Sequence, residues 1–233
     1  MAEPLLFLPG MMCDARLFAP QIAALSSRII VGMAPINDHD NVQDLAADFL
    51  ALAPKQFALA GLSMGGIVAM EIIRQAPERV TRLALMDTNP LAESADRRAL
   101  RGPQIERVRA GELRSIMRDE MKPNYLTDGP NTGAILDLCM AMAEALGPEV
   151  FCRQSVALRD RPDQCDALRA YTGTTLILCG EDDTLCPIER HEQMASFMPN
   201  AKLSIIQKAG HLVTLEQPEK VVGELVKWLE IGS

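Results

Sequence analysis

The pentapeptide Gly61-Leu62-Ser63-Met64-Gly65 has the spacing G-x-S-x-G. A strand-like apolar run precedes it and an amphipathic, helix-like run follows, which is the context in which this motif presents a nucleophilic serine. Such a tight turn forces the serine into strained backbone angles, and the small residues two before and two after it leave room for neighbouring backbone. The motif therefore predicts that Ser63 attacks a carbonyl carbon, beside a helix N-terminus that favours the resulting oxyanion.

The chain around this motif alternates between short apolar runs and amphipathic helical stretches. Helices are predicted at residues 14–26, 41–52 and 64–75, from Pro187 onward, and at residues 218–231. The strands are continuous apolar runs, which is typical of strands that are covered on both faces. Six strands are predicted, at residues 4–8, 28–33, 56–60, 80–86, 174–179 and 202–207.

The alternation stops between the fourth and fifth strands. Apolar residues recur there at helical spacing in residues 113–121 and 135–146, and Pro148 is expected to start a helix that ends near Arg159. Alternating strands and helices require right-handed crossovers and a parallel sheet. We therefore predict an α/β fold with a doubly wound, mostly parallel six-stranded sheet. Its core domain comprises residues 1–90 and 171–233, and residues 91–170 form a helical cap subdomain.

The serine motif and its flanking elements resemble the α/β-hydrolase family, and the resemblance covers almost the whole chain. It is closest to small bacterial esterases that carry a cap. The resemblance implies a triad in the chain order Ser, then Asp or Glu, then His. Of the three histidines, His39 lies in a polar loop and His191 within a helix, where a surface position is expected. His211 follows Gly210 directly after the sixth strand, like the closing Gly-His loop of the family, and is the candidate base.

The resemblance also implies an acid in the loop after the fifth strand. Gly180 and Asp183 fit the family pattern G-x-x-D, and Pro187 follows the acid by four residues. Asp183 would accept a hydrogen bond from His211 and stabilise its imidazolium form. Asp87, at the end of the fourth strand, remains an alternative, because some family members take the acid from that position.

An oxyanion hole needs two preset donors. The first is expected to be the backbone N–H of Met64, the residue after the nucleophile. The second should come from the loop after the first strand, where the family usually has His-Gly-x and this chain has Pro9-Gly10-Met11. The backbone N–H of Met11 is the inferred second donor, since a main-chain donor does not depend on the missing histidine.

Composition and charge argue against several other classes. The chain of 233 residues has a net charge of −8, which repels phosphate backbones, so nucleic-acid binding is not expected. No apolar stretch approaches the roughly 18 residues of a membrane span, and the first residues do not resemble a signal peptide. The six cysteines form no C-x-x-C pair and are expected to be reduced, which favours a cytoplasmic location. Neither a metal-ligand cluster nor a nucleotide-binding motif is present, so no metal and no cofactor is expected.

A serine nucleophile argues against the dehalogenase and epoxide hydrolase branches, which use aspartate. The resemblance favours a carboxylic ester hydrolase that acts on a small or medium ester through an acyl-enzyme. A lyase or C–C bond hydrolase, in which Ser63 and His211 mainly move protons, and a ligand-binding receptor on the same fold remain alternatives.

The cap carries features whose role the sequence leaves open. Its eleven arginines are expected on solvated helix faces, with an anionic substrate or a carrier protein as the alternative. Methionines near the motifs and in the cap could line a flexible apolar pocket or simply pack in the core. They are Met11, Met12, Met64, Met117, Met140 and Met142.

Overall fold

Six parallel strands form the central sheet of residues 3–230, the part of the chain that the computed structural model describes. The strands are β1 (Leu5–Leu8), β2 (Val31–Met33), β3 (Phe57–Leu62), β4 (Val80–Met86), β5 (Thr174–Gly180) and β6 (Ala201–Ile206). They stand in the order β2-β1-β3-β4-β5-β6, and each neighbouring pair is parallel. The predicted α/β fold with a six-stranded parallel sheet is confirmed.

Helices connect these strands and cover the sheet. They are α1 (Ala19–Leu25), α2 (Val42–Leu52), α3 (Met64–Gln75), α4 (Ala95–Arg107), α5 (Leu113–Ser115), α6 (Thr132–Arg159), α7 (Cys165–Ala170), α8 (Ile188–Phe197), α9 (Val213–Glu216) and α10 (Pro218–Leu229). Among residues 3–230, no helix combines the length and the apolar character needed to cross a bilayer.

Alternate residues of the strands enter two separate cores, one on each face of the sheet. In β3, for example, Leu59 packs in the core beneath α2, α3, α7 and α8, whereas Ala60 packs in the core beneath α1, α9 and α10. The second core includes Phe7 and Phe18, whose rings stack with centroids 4.4 Å apart. Burial on both faces explains why the strands are continuous apolar runs rather than alternating ones.

The first predicted helix is divided in the structure. Asp14 caps a short 3₁₀ turn at Ala15–Phe18, and α1 begins only at Ala19 and ends at Leu25. Pro20 lies in the first turn of α1, where a residue without an N–H is tolerated, so the proline fixes where the α-helix starts. The last predicted helix corresponds to α10, and its final residue, Ile231, lies outside the described residues.

The segment between β4 and β5 is helical, as predicted, but its first helix was not predicted. α4 contains Pro103, and its own sequence is polar and arginine-rich, with few apolar residues to mark a buried face. Irregular π-helical turns at Val108–Glu112 and Ile116–Met121 follow it. The two later predicted helices are the halves of α6, which bends at Gly147 with φ +81°.

Candidate active site

The G-x-S-x-G motif forms the turn between β3 and α3. Ser63 has φ 54° and ψ −116°, a conformation that residues with a Cβ atom rarely adopt. The N–H of Ser63 donates to the carbonyl oxygen of Met86 at 2.9 Å, and the hydroxyl of Thr88 donates to the carbonyl oxygen of Ser63 at 2.8 Å. Hydrogen bonds to the end of β4 and the residues just after it therefore hold the serine in its strained conformation.

Glycines around Ser63 allow backbones to approach one another closely. A Cβ atom on Gly65 would lie 2.0 Å from the carbonyl oxygen of Leu8, and one on Gly61 would lie 2.3 Å from that of Gly65. A Cβ atom on Gly66 would lie 2.6 Å from the side chain of Thr88. The small residues of the motif are thus required by packing of α3 against β1 and β3.

Three of the predicted site residues meet at one edge of the sheet, just after the carboxyl ends of β3, β5 and β6. Nε2 of His211 lies 2.9 Å from Oγ of Ser63, and Nδ1 of His211 lies 2.8 Å from Oδ2 of Asp183. An ionised carboxylate can only accept, so Nδ1 carries the proton and Nε2 is free to accept from the serine hydroxyl. This tautomer is the one in which a histidine can take a proton from serine.

The carboxylate of Asp183 is buried and fully engaged. Its Oδ1 accepts from the backbone N–H groups of Leu185 and Cys186, at 2.8 and 3.0 Å. Burial alone would raise the pKa of Asp183, but the neighbouring His211 ring and these hydrogen bonds outweigh it and lower the pKa. Asp183 therefore stays ionised beneath the histidine.

Asp87, the alternative acid, has different partners. Its carboxylate accepts from the N–H of Gly180 at 2.8 Å and from the N–H of Val213 at 3.4 Å. Burial, followed by the charge of Asp183, raises its pKa well above the ordinary aspartate value. Asp87 thus connects the end of β4 to the loops that carry Asp183 and His211, instead of contacting the histidine ring.

Two residues that were not predicted from the sequence hold the loop that carries His211 in place. Oε1 of Glu216 accepts from the N–H groups of Gly210 and Leu212, which flank the histidine, at 2.9 and 3.2 Å. The N–H of His211 donates to the carbonyl oxygen of Tyr125 at 2.8 Å. Glu216 lies only four to six residues after Leu212 and Gly210, so its hydrogen bonds to this loop could have been predicted from the sequence. The contact with Tyr125 joins two distant parts of the chain and could not.

The other two histidines form hydrogen bonds with residues other than Ser63, Asp183 and His211. His39 forms an ion pair with Asp48, with Nε2 2.5 Å from Oδ2. The expected surface position of His191 is wrong, because the residue is fully buried. Its Nε2 accepts from the N–H of Thr88 at 3.1 Å, and burial lowers its pKa to about 4. A neutral His191 therefore supports the residue that holds the carbonyl of Ser63.

The loop after β1 approaches Ser63. A Cβ atom on Gly10 would lie 3.5 Å from the Cβ atom of Ser63. The N–H of Cys13 donates to the carbonyl oxygen of Gly10 at 3.1 Å, and that of Met12 donates to the buried amide of Gln154 at 2.8 Å. Gly10 and Met11 are thereby held at the edge of the site, while Met64 begins α3, where helical N–H groups have no partner within the helix.

A cavity of about 410 Å³ opens above Ser63 and His211. Residues of the helical segment 91–170 form much of its wall. Among the described methionines, Met11 and Met121 line this cavity, whereas Met12, Met64, Met117 and Met142 are buried in the two cores. The wall of the cavity includes Leu62, Ile67, Arg97, Leu100, Arg101, Met121, Tyr125, Leu158, Arg161, Leu185 and Leu212.

Cysteines near the site are buried thiols. All six cysteines of the chain are free and buried. Burial raises the pKa of Cys186 to about 12, and it also raises the pKa of Cys13, so neither is a thiolate at neutral pH. Ligand atoms of Asp183, Cys186 and His211 lie within 4.8 Å of one another. The carboxylate and the ring are already hydrogen-bonded to each other, and the thiol keeps its proton, so this group is better suited to proton transfer than to holding a metal.

Two solved structures are similar to this chain over almost its whole length. A thermophilic esterase from Thermogutta terrifontis, with malate bound, is 28% identical and has a TM-score of 0.89, with 99% of this chain and 90% of that chain covered. The enol-lactonase from Burkholderia xenovorans LB400 has a TM-score of 0.87 at 20% identity, with 99% and 92% covered.

A curated relative is the dihydrolipoyllysine-residue acetyltransferase component of an acetoin cleaving system from Pseudomonas putida, 27% identical over 174 residues. The match covers 73% of this chain and 45% of that protein, so the chain spans less than half the length of this relative. The sequence profile of the Alpha/beta hydrolase family matches residues 5–224, and the chain therefore belongs to the α/β-hydrolase family.

Proposed function

We propose that the protein is a serine carboxylesterase that cleaves small or medium esters through an acyl-enzyme. The observation that carries this proposal is the continuous contact from Ser63 through His211 to Asp183, at 2.9 and 2.8 Å, at the floor of an open cavity. The Thermogutta terrifontis relative, an esterase, supports the choice of an ester as substrate.

In the first half of the reaction, Oγ of Ser63 attacks the ester carbonyl while Nε2 of His211 takes the hydroxyl proton. The carbonyl oxygen becomes an oxyanion, which accepts hydrogen bonds from the N–H groups of Met64 and Met11. Each such donor contributes about 3 kcal/mol of transition-state stabilisation. The bond to the alcohol then breaks, the alcohol leaves with the proton from His211, and the acyl group stays on Ser63.

In the second half, water replaces the alcohol. His211 takes a proton from the water as its oxygen attacks the acyl carbonyl, and the same two N–H groups hold the second oxyanion. The bond to Oγ breaks, the proton of His211 returns to Ser63, and the carboxylic acid leaves. Asp183 remains ionised throughout and stabilises the imidazolium that forms in each half.

The helical segment 91–170 is proposed to be a cap that selects the substrate. It contributes Arg97, Leu100, Met121, Tyr125 and Leu158 to the wall of the cavity. A volume of about 410 Å³ lies in the range of small-molecule sites.

The test compares Ser63→Ala with Ser196→Ala, a substitution of an exposed serine on α8. Hydrolysis of 4-nitrophenyl esters with two to ten acyl carbons should be lost in Ser63→Ala and retained in Ser196→Ala, with circular dichroism spectra unchanged. A fluorophosphonate should label the wild type on Ser63, as peptide mass spectrometry would show. Turnover without labelling of Ser63 would contradict the acyl-enzyme and favour the lyase or C–C hydrolase reaction, in which Ser63 only moves protons.

A further inference from the structure

One wall of the cavity concentrates positive charge in a protein whose net charge is −8. Arg97 and Arg101 lie on α4, Arg161 follows α6, and all three line the cavity that contains Ser63 and His211. The wall thus has the opposite sign to the molecule as a whole.

Two of these arginines share one buried carboxylate. Oε2 of Glu93 accepts from Nη2 of Arg101 at 2.9 Å, and Oε1 of Glu93 lies 3.3 Å from Nη2 of Arg161. The exposed side-chain fractions are 2% for Glu93, 11% for Arg101 and 8% for Arg161. Two desolvated guanidinium groups therefore face a single carboxylate, which leaves one buried positive charge without a counter-charge.

Arg97 adds a second unmatched charge at the mouth of the cavity. It is exposed, and its side chain has no hydrogen bond or ion pair with another residue in the part of the chain that the structure describes. Burial, above all, lowers the pKa of Arg161, and the charges of Arg101 and Arg97 lower it further. The guanidinium groups of Arg101 and Arg97 are thus both close enough to Arg161 to repel it.

The acidic group that also lines the cavity does not balance this charge. The carboxylate of Glu120 accepts from Nε2 of Gln104 at 2.9 Å and is paired with Nη1 of Arg107, outside the lining. Arg107 also pairs with Glu112, so one negative charge stays in excess beside Glu120. The arginine wall has two unmatched positive charges, so the lining keeps a net positive charge that is available to a ligand.

We propose that this wall (Arg97, Arg101 and Arg161) is an anion-binding subsite, so that the enzyme prefers esters that carry a carboxylate. The inference rests on the proposed hydrolysis at Ser63 and specifies its substrate class. Guanidinium forks match the geometry of a carboxylate, and the desolvated wall strengthens their attraction for it. A neutral ester would leave the excess charge of the wall unmatched, whereas a carboxylate would compensate it.

Two pairs of substrates of similar size test this preference. Monomethyl adipate and methyl hexanoate differ in a carboxylate on the acyl side, whereas 4-carboxyphenyl butyrate and 4-carbamoylphenyl butyrate differ on the alcohol side. In at least one pair, kcat/KM of the wild type should be about tenfold higher for the anionic ester, and 0.5 M NaCl should reduce this ratio because salt screens charges. Ratios of one or less in both pairs, with turnover of neutral esters, would overturn the subsite and leave the proposed function intact.

Two matched variants test whether Arg97 causes the preference for anionic esters. Arg97→Gln removes an exposed charge without disturbing the buried cluster, and it should lower the anionic-to-neutral ratio of kcat/KM about tenfold, mainly through a higher KM for the anionic ester. Arg98→Gln is the control, because Arg98 is the next residue of α4 but pairs with Asp160 and does not line the cavity. An equal effect of both variants would contradict the subsite.

A binding measurement tests the anion-binding subsite independently of whether the protein hydrolyses esters. Monomethyl adipate titrated into Ser63→Ala in a calorimeter should bind about tenfold more weakly once Arg97→Gln is added, and unchanged once Arg98→Gln is added. Equal affinity in the three proteins, or no binding to Ser63→Ala, would refute the subsite. Selective binding together with no ester hydrolysis by the wild type would instead refute only the esterase proposal.

Discussion

At the scale of single residues, two neighbouring aspartates illustrate how surroundings decide a role. The carboxylate of Asp183 contacts the ring of His211 and has a lowered pKa, whereas that of Asp87 accepts from the N–H groups of Gly180 and Val213 and has a raised pKa. An ionised carboxylate is needed to stabilise an imidazolium. Asp183 meets that requirement, and Asp87 is suited to holding loops together.

The first prediction concerns Asp183, the proposed acid. Asp183→Asn should lower kcat for a 4-nitrophenyl ester by about 10⁴-fold, because an amide can leave His211 in the wrong tautomer. Initial rates and a thermal unfolding curve would separate lost catalysis from lost folding. Asp182→Asn changes the exposed neighbour in the same loop and should retain full activity. A similar loss in both variants would show that the loop, and not the hydrogen bond to His211, is what matters.

The second prediction concerns Asp87 and pH. In the unfolded chain this group ionises at about pH 3.9, and burial with the nearby charge of Asp183 raises its pKa in the fold. As pH rises above about 4, the unfolded chain therefore loses the proton first, and ionisation of Asp87 lowers the free energy of unfolding of the wild type. Asp87→Asn lacks this titration, so its stability relative to the wild type should improve as pH rises.

Urea unfolding of both proteins at pH 4.5, 5.5 and 6.5 measures this difference. A stability difference that is constant across the series would contradict the raised pKa. The same variant should keep kcat within about tenfold of the wild type, whereas a loss near 10⁴-fold would identify Asp87 as the acid in place of Asp183.

At the scale of secondary-structure elements, the strands and α3 were predicted well from local sequence patterns. The fourth strand and α3 have the predicted bounds, because apolar runs and the glycine-rich turn define them locally. α4 was missed because its polar sequence has few apolar residues and because Gly102-Pro103 indicates a break, yet the proline is accommodated within the helix. The packing of α4 and the ion pair of Arg101 with Glu93 outweigh that local preference, and such tertiary contacts leave no trace in local spacing.

The turn before α3 gives the prediction at this scale. Gly65→Ala would place a Cβ atom 2.0 Å from the carbonyl oxygen of Leu8, and neither backbone can move without separating α3 from β1. It should lower the free energy of unfolding by about 3 kcal/mol and sharply reduce activity. Gly223→Ala in α10 is the matched control, since nothing lies within 4 Å of its Cβ position.

Urea unfolding and ester hydrolysis of the two alanine variants provide the comparison. Gly223→Ala should raise the free energy of unfolding by about 0.5–1 kcal/mol through helix propensity and leave kcat unchanged. If Gly65→Ala behaved like Gly223→Ala, the close approach of α3 to β1 would not be needed for this turn.

At the scale of the whole molecule, the site depends on contacts between distant parts of the chain. Ser63, Asp183 and His211 meet because β3, β4, β5 and β6 are adjacent and parallel, so their carboxyl ends share one edge. That meeting was predictable from the parallel sheet together with the chain order of Ser, Asp and His that the family resemblance implies. The partners of the surrounding loops were not predictable, because the Tyr125 carbonyl and the Gln154 amide bind backbone N–H groups far away in sequence, and neither residue type nor spacing marks them.

Gln154 on α6 provides the last prediction, since it joins the helical segment to the loop after β1. Its Oε1 accepts from the N–H of Met12, and its Nε2 donates to the carbonyl oxygen of Ile36 at 3.0 Å.

Gln154→Leu leaves the buried N–H of Met12 unpaired, which should cost about 1–3 kcal/mol of unfolding free energy. It should also lower kcat tenfold to a hundredfold, roughly, with little change in KM, because the N–H of Met11, the proposed second donor, moves away from the proposed oxyanion position. Ser155→Ala removes a neighbouring buried hydroxyl that has no partner among the described residues, and should alter neither quantity. A loss confined to KM would show that Gln154 shapes substrate binding and not the oxyanion hole.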